Sequence, residues 1–404
     1  MNSSGFISQV LEKSSTLPKN VLSSLNLAMK IWHIGASFSP EKVCGVNNTV
    51  WLVAQEQAKL GYDVTLILIQ PPNQAALEIA QKTGLKLIYL PANLWYYDQN
   101  TLETLLTSQS PNLVHTHSVF VPKQVSLAKK LGQRGIPYVI TPHAMTPQLL
   151  QRGWLKKRIY SWLFEKPRFL NAAAITVVTP KEEETVRNFV PSYSGIICCV
   201  PNPITLLQEN SPEECLWQNH GETNLVYMGR FDVLHKGLDI LIEIARFLPN
   251  VKFKLYGTEH QGTQKWFKKL QQNRPDNVEF HHPVFKEDKT KVLLNATLYI
   301  QMSRWEVFGI SIAEAMCLGV PCAIANTLNF APIFQEHDLG LVLSSQPQKA
   351  AQQLQEILQK PQTLEKWSKT GRHFAQEQFH PRQVALKYLE LYQQLISNRQ
   401  GENS

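Results

Sequence analysis

No run in this chain approaches the roughly 18 to 20 apolar residues that a membrane-spanning helix needs, so no segment is expected to cross a bilayer. Nor does it open like a secretory leader. Residues 1–29 are polar and Ser/Asn-rich, with no basic stretch leading into a continuous apolar one, and are expected to form a flexible N-terminal segment. Cysteine is sparse: Cys44, Cys198, Cys199, Cys215, Cys317 and Cys322 contain neither a C-x-x-C pair nor a His-spaced set. That excludes a recognisable zinc spacing and argues against a disulfide framework, so reduced thiols, mostly small core residues in a cytoplasm, are expected. Asp-x-Asp is absent, which removes the obvious carboxylate pair for holding Mg²⁺ or Mn²⁺. No internal repeat of roughly 20 to 50 residues is visible beyond a loose likeness between the two halves. Acids almost vanish between Pro111 and Leu170, where ten Lys and Arg face Glu165 alone, enough to account for the whole net charge of +8. Such a patch suits an anionic membrane surface or substrate and equally an ordinary solvated face; with no recognition motif beside it, nucleic acid is not expected.

What is present is a long alternation. A chain of 404 residues exceeds one ordinary core, and two units are expected. Short apolar runs at Lys30–Ile34, Val64–Ile69, Leu85–Leu90, Leu113–Thr116, Tyr138–Thr141 and Ile175–Val178 read as buried parallel strands. Between them lie segments of helical spacing, such as Asn48–Leu60, which stops at Gly61. A second series runs through Asn224–Met228, Val251–Tyr256, Val278–His281, Thr297–Met302, Cys322–Ala325 and Gly340–Leu343, with helices at Gly237–Leu248 and Ser311–Leu318. This pattern predicts an α/β protein of two doubly wound, Rossmann-like domains facing a cleft, with ligands at the C-terminal ends of the strands. Val200-Pro-Asn-Pro-Ile204 continues neither strand nor helix and reads as the hinge. The expected division is a first domain over 30–205, a second over 206–380 and a closing segment over 381–404.

Two segments carry chemistry. In Ser303-Arg-Trp-Glu-Val-Phe-Gly-Ile-Ser-Ile-Ala-Glu-Ala-Met316, a strand end opens into a helix at Gly309, whose first amides offer unsatisfied N–H groups and the positive end of a dipole to an anion. Glu306 precedes that helix and Glu314 lies within it; beside a phosphate site, carboxylates make sense as acceptors for hydroxyl groups, one for a sugar and one for a ribose. Glu314 equally fits an acid complementing the dipole. In Gly229-Arg-Phe-Asp-Val-Leu-His-Lys-Gly237, again a strand end running into a helix, Arg230 offers a planar fork of donors and Lys236 a compact cation. Together they suit a diphosphate leaving group, taking the place of a metal.

These motifs, in this order and separation, resemble family 4 of the glycosyltransferases, a large retaining group with the two-domain GT-B fold. The resemblance covers about residues 30 to 397 and rests on E-x7-E at Glu306 and Glu314, GR…KG at Arg230 and Lys236, the VPNP hinge, and the turn Cys44-Gly-Val46 before a helix ending in GYDV. The family usually has two glycines at that turn, where this chain has Cys44 and Gly45. The resemblance implies a retaining hexosyltransferase using a UDP- or GDP-linked sugar as co-substrate and a glycan or lipid-linked acceptor, in polysaccharide or glycoconjugate synthesis, with no metal or other cofactor. It implies that Glu306 holds donor-sugar hydroxyls and that the Phe308, Gly309 and Ile310 amides meet sugar and phosphates. Gly229, Arg230 and Lys236 then lie at the diphosphate, Glu314 at the ribose, Gly45 towards the phosphates and His143 near the reacting carbon. It also implies that the last helix, Pro381 to Ser397, crosses back onto the first domain.

Other features stand outside that reading. His115 and His117 sit at a strand end without an acid or Cys beside them, so lining or capping the cleft is expected rather than metal binding. His281 and His282 are expected to have no chemistry. Residues 152–170 interleave Trp154, Tyr160, Trp162 and Phe164 with Lys156, Lys157 and Arg158, which fits an amphipathic helix lying peripherally on anionic lipid as well as a helix facing its own core. The competing class is a non-catalytic nucleotide-sugar-binding or membrane-associated scaffold of the same fold, against which the intact Glu306, Glu314, Arg230 and Lys236 argue.

Overall fold

The computed structural model describes residues 29–41, 44–143, 145–147, 154–205, 217 and 223–402. The expected N-terminal segment, Cys215, Arg152 and the Trp154 side chain fall outside them. Two all-parallel sheets form the frame. The first contains β1 (Lys30–Ile34), β2 (Asp63–Leu68), β3 (Lys86–Tyr89), β4 (Leu113–His117), β5 (Tyr138–Thr141), β6 (Ala174–Val177) and β7 (Ile196–Cys199), in the order β3-β2-β1-β4-β5-β6-β7. The second contains β8 (Asn224–Met228), β9 (Lys252–Tyr256), β10 (Val278–His281), β11 (Leu298–Gln301), β12 (Cys322–Ala325) and β13 (Gly340–Leu343), in the order β10-β9-β8-β11-β12-β13. Strands such as Leu113–His117 and Leu298–Gln301 are buried along their whole length, as parallel strands covered on both faces must be. The sequence reading lacked β7, whose four residues are only partly covered at the sheet's edge; its signal was the β-branched pair Ile196-Ile197 between Gly195 and Pro201.

Both sheets wind outward from their centre, so each has one point where the strand order reverses: between β1 and β4, and between β8 and β11. Crevices for ligands open at such points, beyond the strands' C-terminal ends. The lobes meet there. Ile204 donates its backbone N–H to the Phe379 carbonyl at 2.9 Å, and Asn329 Nδ2 reaches Thr179 Oγ1 at 3.2 Å. Residues 201–205, with the two prolines, carry no regular structure. The helix Pro381–Glu402 leaves the second lobe and buries Val384, Tyr388, Leu389, Leu391 and Tyr392 in the core of the first. Two of the described cysteines, Cys317 and Cys322, are buried as small core residues, whereas Cys44 and Cys199 reach the surface.

Candidate active site

Two loops meet at the reversal point of the second sheet, and glycine sets the shape of both. Gly237 has φ +64°, and a Cβ there would fall onto the Met302 carbonyl oxygen, so the loop after β8 can lie against the loop after β11 only without a side chain. Gly309, at φ +71°, caps Ile310–Cys317, and a Cβ there would come within 2.7 Å of Ile312 Cδ1. The loops are then fastened together. Arg304 forms a two-pronged ion pair with Asp239, at 2.9 and 2.6 Å, and its N–H donates to the His235 carbonyl at 2.9 Å. The His235 ring stacks on Trp305 with centroids 4.5 Å apart and donates Nε2–H to the Trp305 carbonyl at 3.0 Å. Burial and the neighbouring Lys236 ammonium push its pKa down, which favours the neutral ring.

Glu306 and Lys236 meet at the centre of this clasp. Lys236 Nζ bonds to Glu306 Oε1, which also accepts from Gln301 Nε2 and Ser303 Oγ, each at 3.0 Å. Three donors on one oxygen fix the carboxylate's orientation, and an ammonium with three protons has others to offer a bound anion. The first amides of Ile310–Cys317 find no side-chain cap, and the helix's earliest backbone bonds are Ile312 N to Gly309 O at 2.9 Å and Ala313 N to the same oxygen at 3.2 Å. Phe308 is buried among Phe330 and Phe379, which anchors the loop. Glu314 pairs with Lys289 from Lys286–Leu294, a partner that sequence reasoning missed because KEDKTK reads as a solvated face. Arg230 is exposed, and among the described residues no carboxylate pairs with it. Gly229 sits over Tyr227, where a Cβ would press within 2.5 Å of the hydroxyl.

Across the cleft, Gly45 opens the helix Gly45–Lys59, and a Cβ on it would come within 2.6 Å of Ile310 Cδ1. Glycine at that position therefore lets the lobes approach. His143 follows β5 in a left-handed conformation, φ +62°, unusual for a residue with a side chain. Its Nε2 is bonded to His117 Nδ1 at 2.9 Å, so that nitrogen is turned into the lobe and away from the cleft. His115 and His117 do not line the cleft as expected: both are fully buried behind His143. Ring nitrogens of His33, His115 and His117 lie within 4.8 Å of one another, a spacing compatible with a metal. Each ring is already engaged, however: His33 with Gln57 (2.7 Å) and His117 (3.2 Å), His115 with Tyr392 (2.5 Å) and Thr141 (2.6 Å). Hydrogen bonding accounts for the cluster without an ion. Burial lowers the pKa of His33 and His143 to about 4 and those of His115 and His117 well below the ordinary value, so all four are neutral.

Sequence reasoning also missed Glu182. This buried acid accepts the N–H of Val178 at 2.9 Å and of Met145 at 3.0 Å, tying the His143 loop to the end of β6. Burial raises its pKa to about 7 against the pull of those two bonds. A shallow hollow lined by Lys30, Asp63 and Lys86 lies at the opposite ends of the strands, where parallel sheets do not bind ligands.

Comparison with known proteins agrees with this arrangement. Residues 216–374 match the family described as glycosyl transferases group 1, and residues 43–206 match glycosyltransferase family 4. The sucrose-phosphate synthase of Thermosynechococcus elongatus superimposes with a TM-score of 0.72 at 21% identity, over 92% of this chain and 100% of that one. HepE of Anabaena, solved in complex with UDP and glucose, gives 0.67 at 17% identity, over 91% and 100%. An uncharacterized glycosyltransferase of Bacillus subtilis, YqgM, is 23% identical over 71% of this chain and 79% of its own length.

Proposed function

The chain belongs to the group 1 and family 4 glycosyltransferases, with the two-lobed GT-B fold, and from that premise we propose that it moves a hexose from a nucleotide-diphosphate sugar, UDP- or GDP-linked, onto a glycan or lipid-linked acceptor with retention of configuration. The observation that carries this reading is the clasp of Lys236 and Glu306 beside the uncapped start of Ile310–Cys317, facing Gly45 across the cleft. The open amides and Lys236 take the diphosphate, and exposed Arg230 adds a second, planar cation. Charge developing on the leaving phosphate is met by groups already in place, which is where preorganised electrostatics lowers a barrier most. Glu306, its Oε1 held by three donors, is fixed to orient the sugar hydroxyls and acts as a positioner rather than a nucleophile. Retention then follows from front-side attack, the departing phosphate oxygen taking the acceptor's proton as the new glycosidic bond forms on the face the phosphate leaves. Closure of the lobes excludes water from the anomeric carbon. Glu314 receives the ribose by sharing its carboxylate with Lys289.

A neighbour solved with UDP supports a uridine nucleotide as the first donor to try. The test is thermal stabilisation by a panel of UDP-, GDP- and ADP-sugars: saturation at about 100 times Kd adds roughly 2.7 kcal/mol. A shift with one nucleotide class is expected, and none from folded protein would overturn the reading.

The acceptor side points to a peripheral membrane enzyme of polysaccharide or glycoconjugate synthesis. Within Trp154–Tyr160 and the π-helical turn Ser161–Glu165, Leu155, Ile159, Trp162, Leu163 and Phe164 are exposed, Trp162 by 72%, among exposed Lys156 and Arg158. The alternative in which these side chains face the protein's own core does not hold for Trp162, Leu163 and Phe164. In the π-helical turn those three side chains lie outward in succession, while Glu165 turns inward to a fully buried ion pair with Arg168 at 2.8 Å. Apolar side chains with cations beside them match an anionic lipid surface.

A further inference from the structure

Among the described residues eight buried side-chain polar atoms have no partner in hydrogen-bond geometry, and three of them, Gln57 Nε2, His143 Nδ1 and Asn202 Oδ1, lie along one row in the first lobe. Leaving a buried polar group orphaned is costly, so three along one hydrogen-bonded row call for a common cause. The row runs from the Gln57 carboxamide to His33 Nε2 (2.7 Å), from His33 Nδ1 to His117 Nε2 (3.2 Å), and from His117 Nδ1 to His143 Nε2 (2.9 Å). The Asn202 side chain lies against the His143 ring at one end, and the Tyr392 hydroxyl lies beside Gln57 at the other.

Counting protons decides its direction. A neutral imidazole has one donor and one acceptor, so fixing one ring's tautomer fixes the next. With the Gln57 carbonyl on His33, that ring must donate through Nε2; His117 and His143 then also donate through Nε2, and His143 Nδ1 is left as a bare lone pair against the Asn202 oxygen. With Asn202 as placed, two acceptors face each other there, and turning Asn202 would cure only that end, leaving the Gln57 amide N–H without an acceptor in hydrogen-bond geometry. A half-turn of the Gln57 carboxamide reverses every link. Gln57 Nε2–H then donates to His33 Nε2, His33 Nδ1–H to His117, His117 Nδ1–H to His143, and His143 Nδ1–H to Asn202 Oδ1. The Gln57 carbonyl turns to the Tyr392 hydroxyl, whose oxygen in turn accepts from His115 Nδ1–H at 2.5 Å. All three orphans gain partners.

We propose that Tyr392, Gln57, His33, His117, His143 and Asn202 form one hydrogen-bonded chain polarised head to tail, in which Gln57 and Asn202 are positioning residues that hold His143 as its Nδ1–H tautomer at the cleft wall. The chain links the helix that crosses back from the second lobe, through Tyr392, to the hinge segment, through Asn202, so both elements that join the lobes fix the ring at the cleft. What His143 does there rests on the transferase reading; the chain itself does not.

The experiment is a long-range ¹⁵N–¹H spectrum of the full-length protein labelled at histidine ring nitrogens, without donor, with signals assigned by single histidine substitutions. Protonated Nδ1 and bare Nε2 are expected at His33, His117 and His143, and a protonated Nε2 at any of the three overturns the proposal. Gln57→Glu provides a carboxylate that accepts only, so all three rings are expected to switch to Nε2–H; retained Nδ1–H in the folded variant would contradict the chain. Should that variant not fold, Asn202→Ala serves instead: it removes the terminal acceptor, and an unchanged His143 signal would count against the link. A wrong tautomer sinks the chain and leaves the transferase reading standing, whereas the expected tautomers in a protein that binds no nucleotide sugar do the reverse.

Discussion

At the reversal point of the first sheet the polar groups are neutral and sealed; at that of the second they are charged and partly open. His33, His115 and His117 are fully buried and bond only to neutral partners, His33 to His117 among them, whereas Lys236 and Glu306 keep 14% and 15% of their side chains exposed. The same topology thus builds two different walls. A charged wall can bind a diphosphate because its own ions are only partly desolvated and already paired, which limits the cost of burying them. A neutral wall adds no charge to its lobe, and its uncharged rings avoid the penalty that buried imidazolium would incur. The division of labour between lobes follows from burial before any substrate is considered.

The comparison breaks most visibly on the charged side. Glu306→Gln or Lys236→Ala is expected to lower transfer about 10²-fold or more in a protein that still folds, as for loss of one preorganised contact. Near wild-type turnover would remove Glu306 from the site. On the neutral side the expected effect is on stability. Four histidines with folded pKa below the unfolded value near 6.5 bind protons more readily once unfolded, so stability is full above about pH 6.5 and is lost as pH falls towards 4. Each adds a slope on the order of 1.4 kcal/mol per pH unit. Glu182, raised to about 7, works in the opposite sense, its stability lost as pH rises from about 4.5 to 7, but it is one group against four. Denaturant midpoints should therefore fall from pH 6.5 to 4.5, and a midpoint that rises would contradict the neutral assignment. The smallest effect belongs to the surface: Trp162→Ser with Leu163→Ser should cut flotation with anionic vesicles while leaving the thermal midpoint within about 1 °C, because surface changes cost little. Equal flotation on neutral and anionic lipid would exclude the electrostatic part of that contact.

The two walls also differed in how much of them could be read from the sequence. Lys236 and Glu306, which bond to each other, fall in contiguous segments where glycine, charge and a strand-to-helix switch coincide, so local pattern was enough to group them. His33, Gln57 and Tyr392 come from a strand and two helices far apart in the chain, and each is an unremarkable member of its own element. Only packing brings them together. The strands were legible because buried parallel strands are continuous apolar runs, whereas β7, half covered at an edge, was not. The π turn at Ser161–Glu165 left no periodicity to find, so the outward display of Trp162, Leu163 and Phe164 could not be separated beforehand from an ordinary amphipathic face.

The most direct test of the central claim, that the second lobe's charged wall holds the donor, is calorimetric titration of UDP and GDP into the wild type, Lys236→Ala and His143→Ala. The account predicts one nucleotide binding to the wild type and His143→Ala with similar affinity, and at least about tenfold more weakly to Lys236→Ala, a loss of roughly 1.4 kcal/mol. Equal affinity in the wild type and a folded Lys236→Ala, or loss of binding in His143→Ala alone, would contradict it.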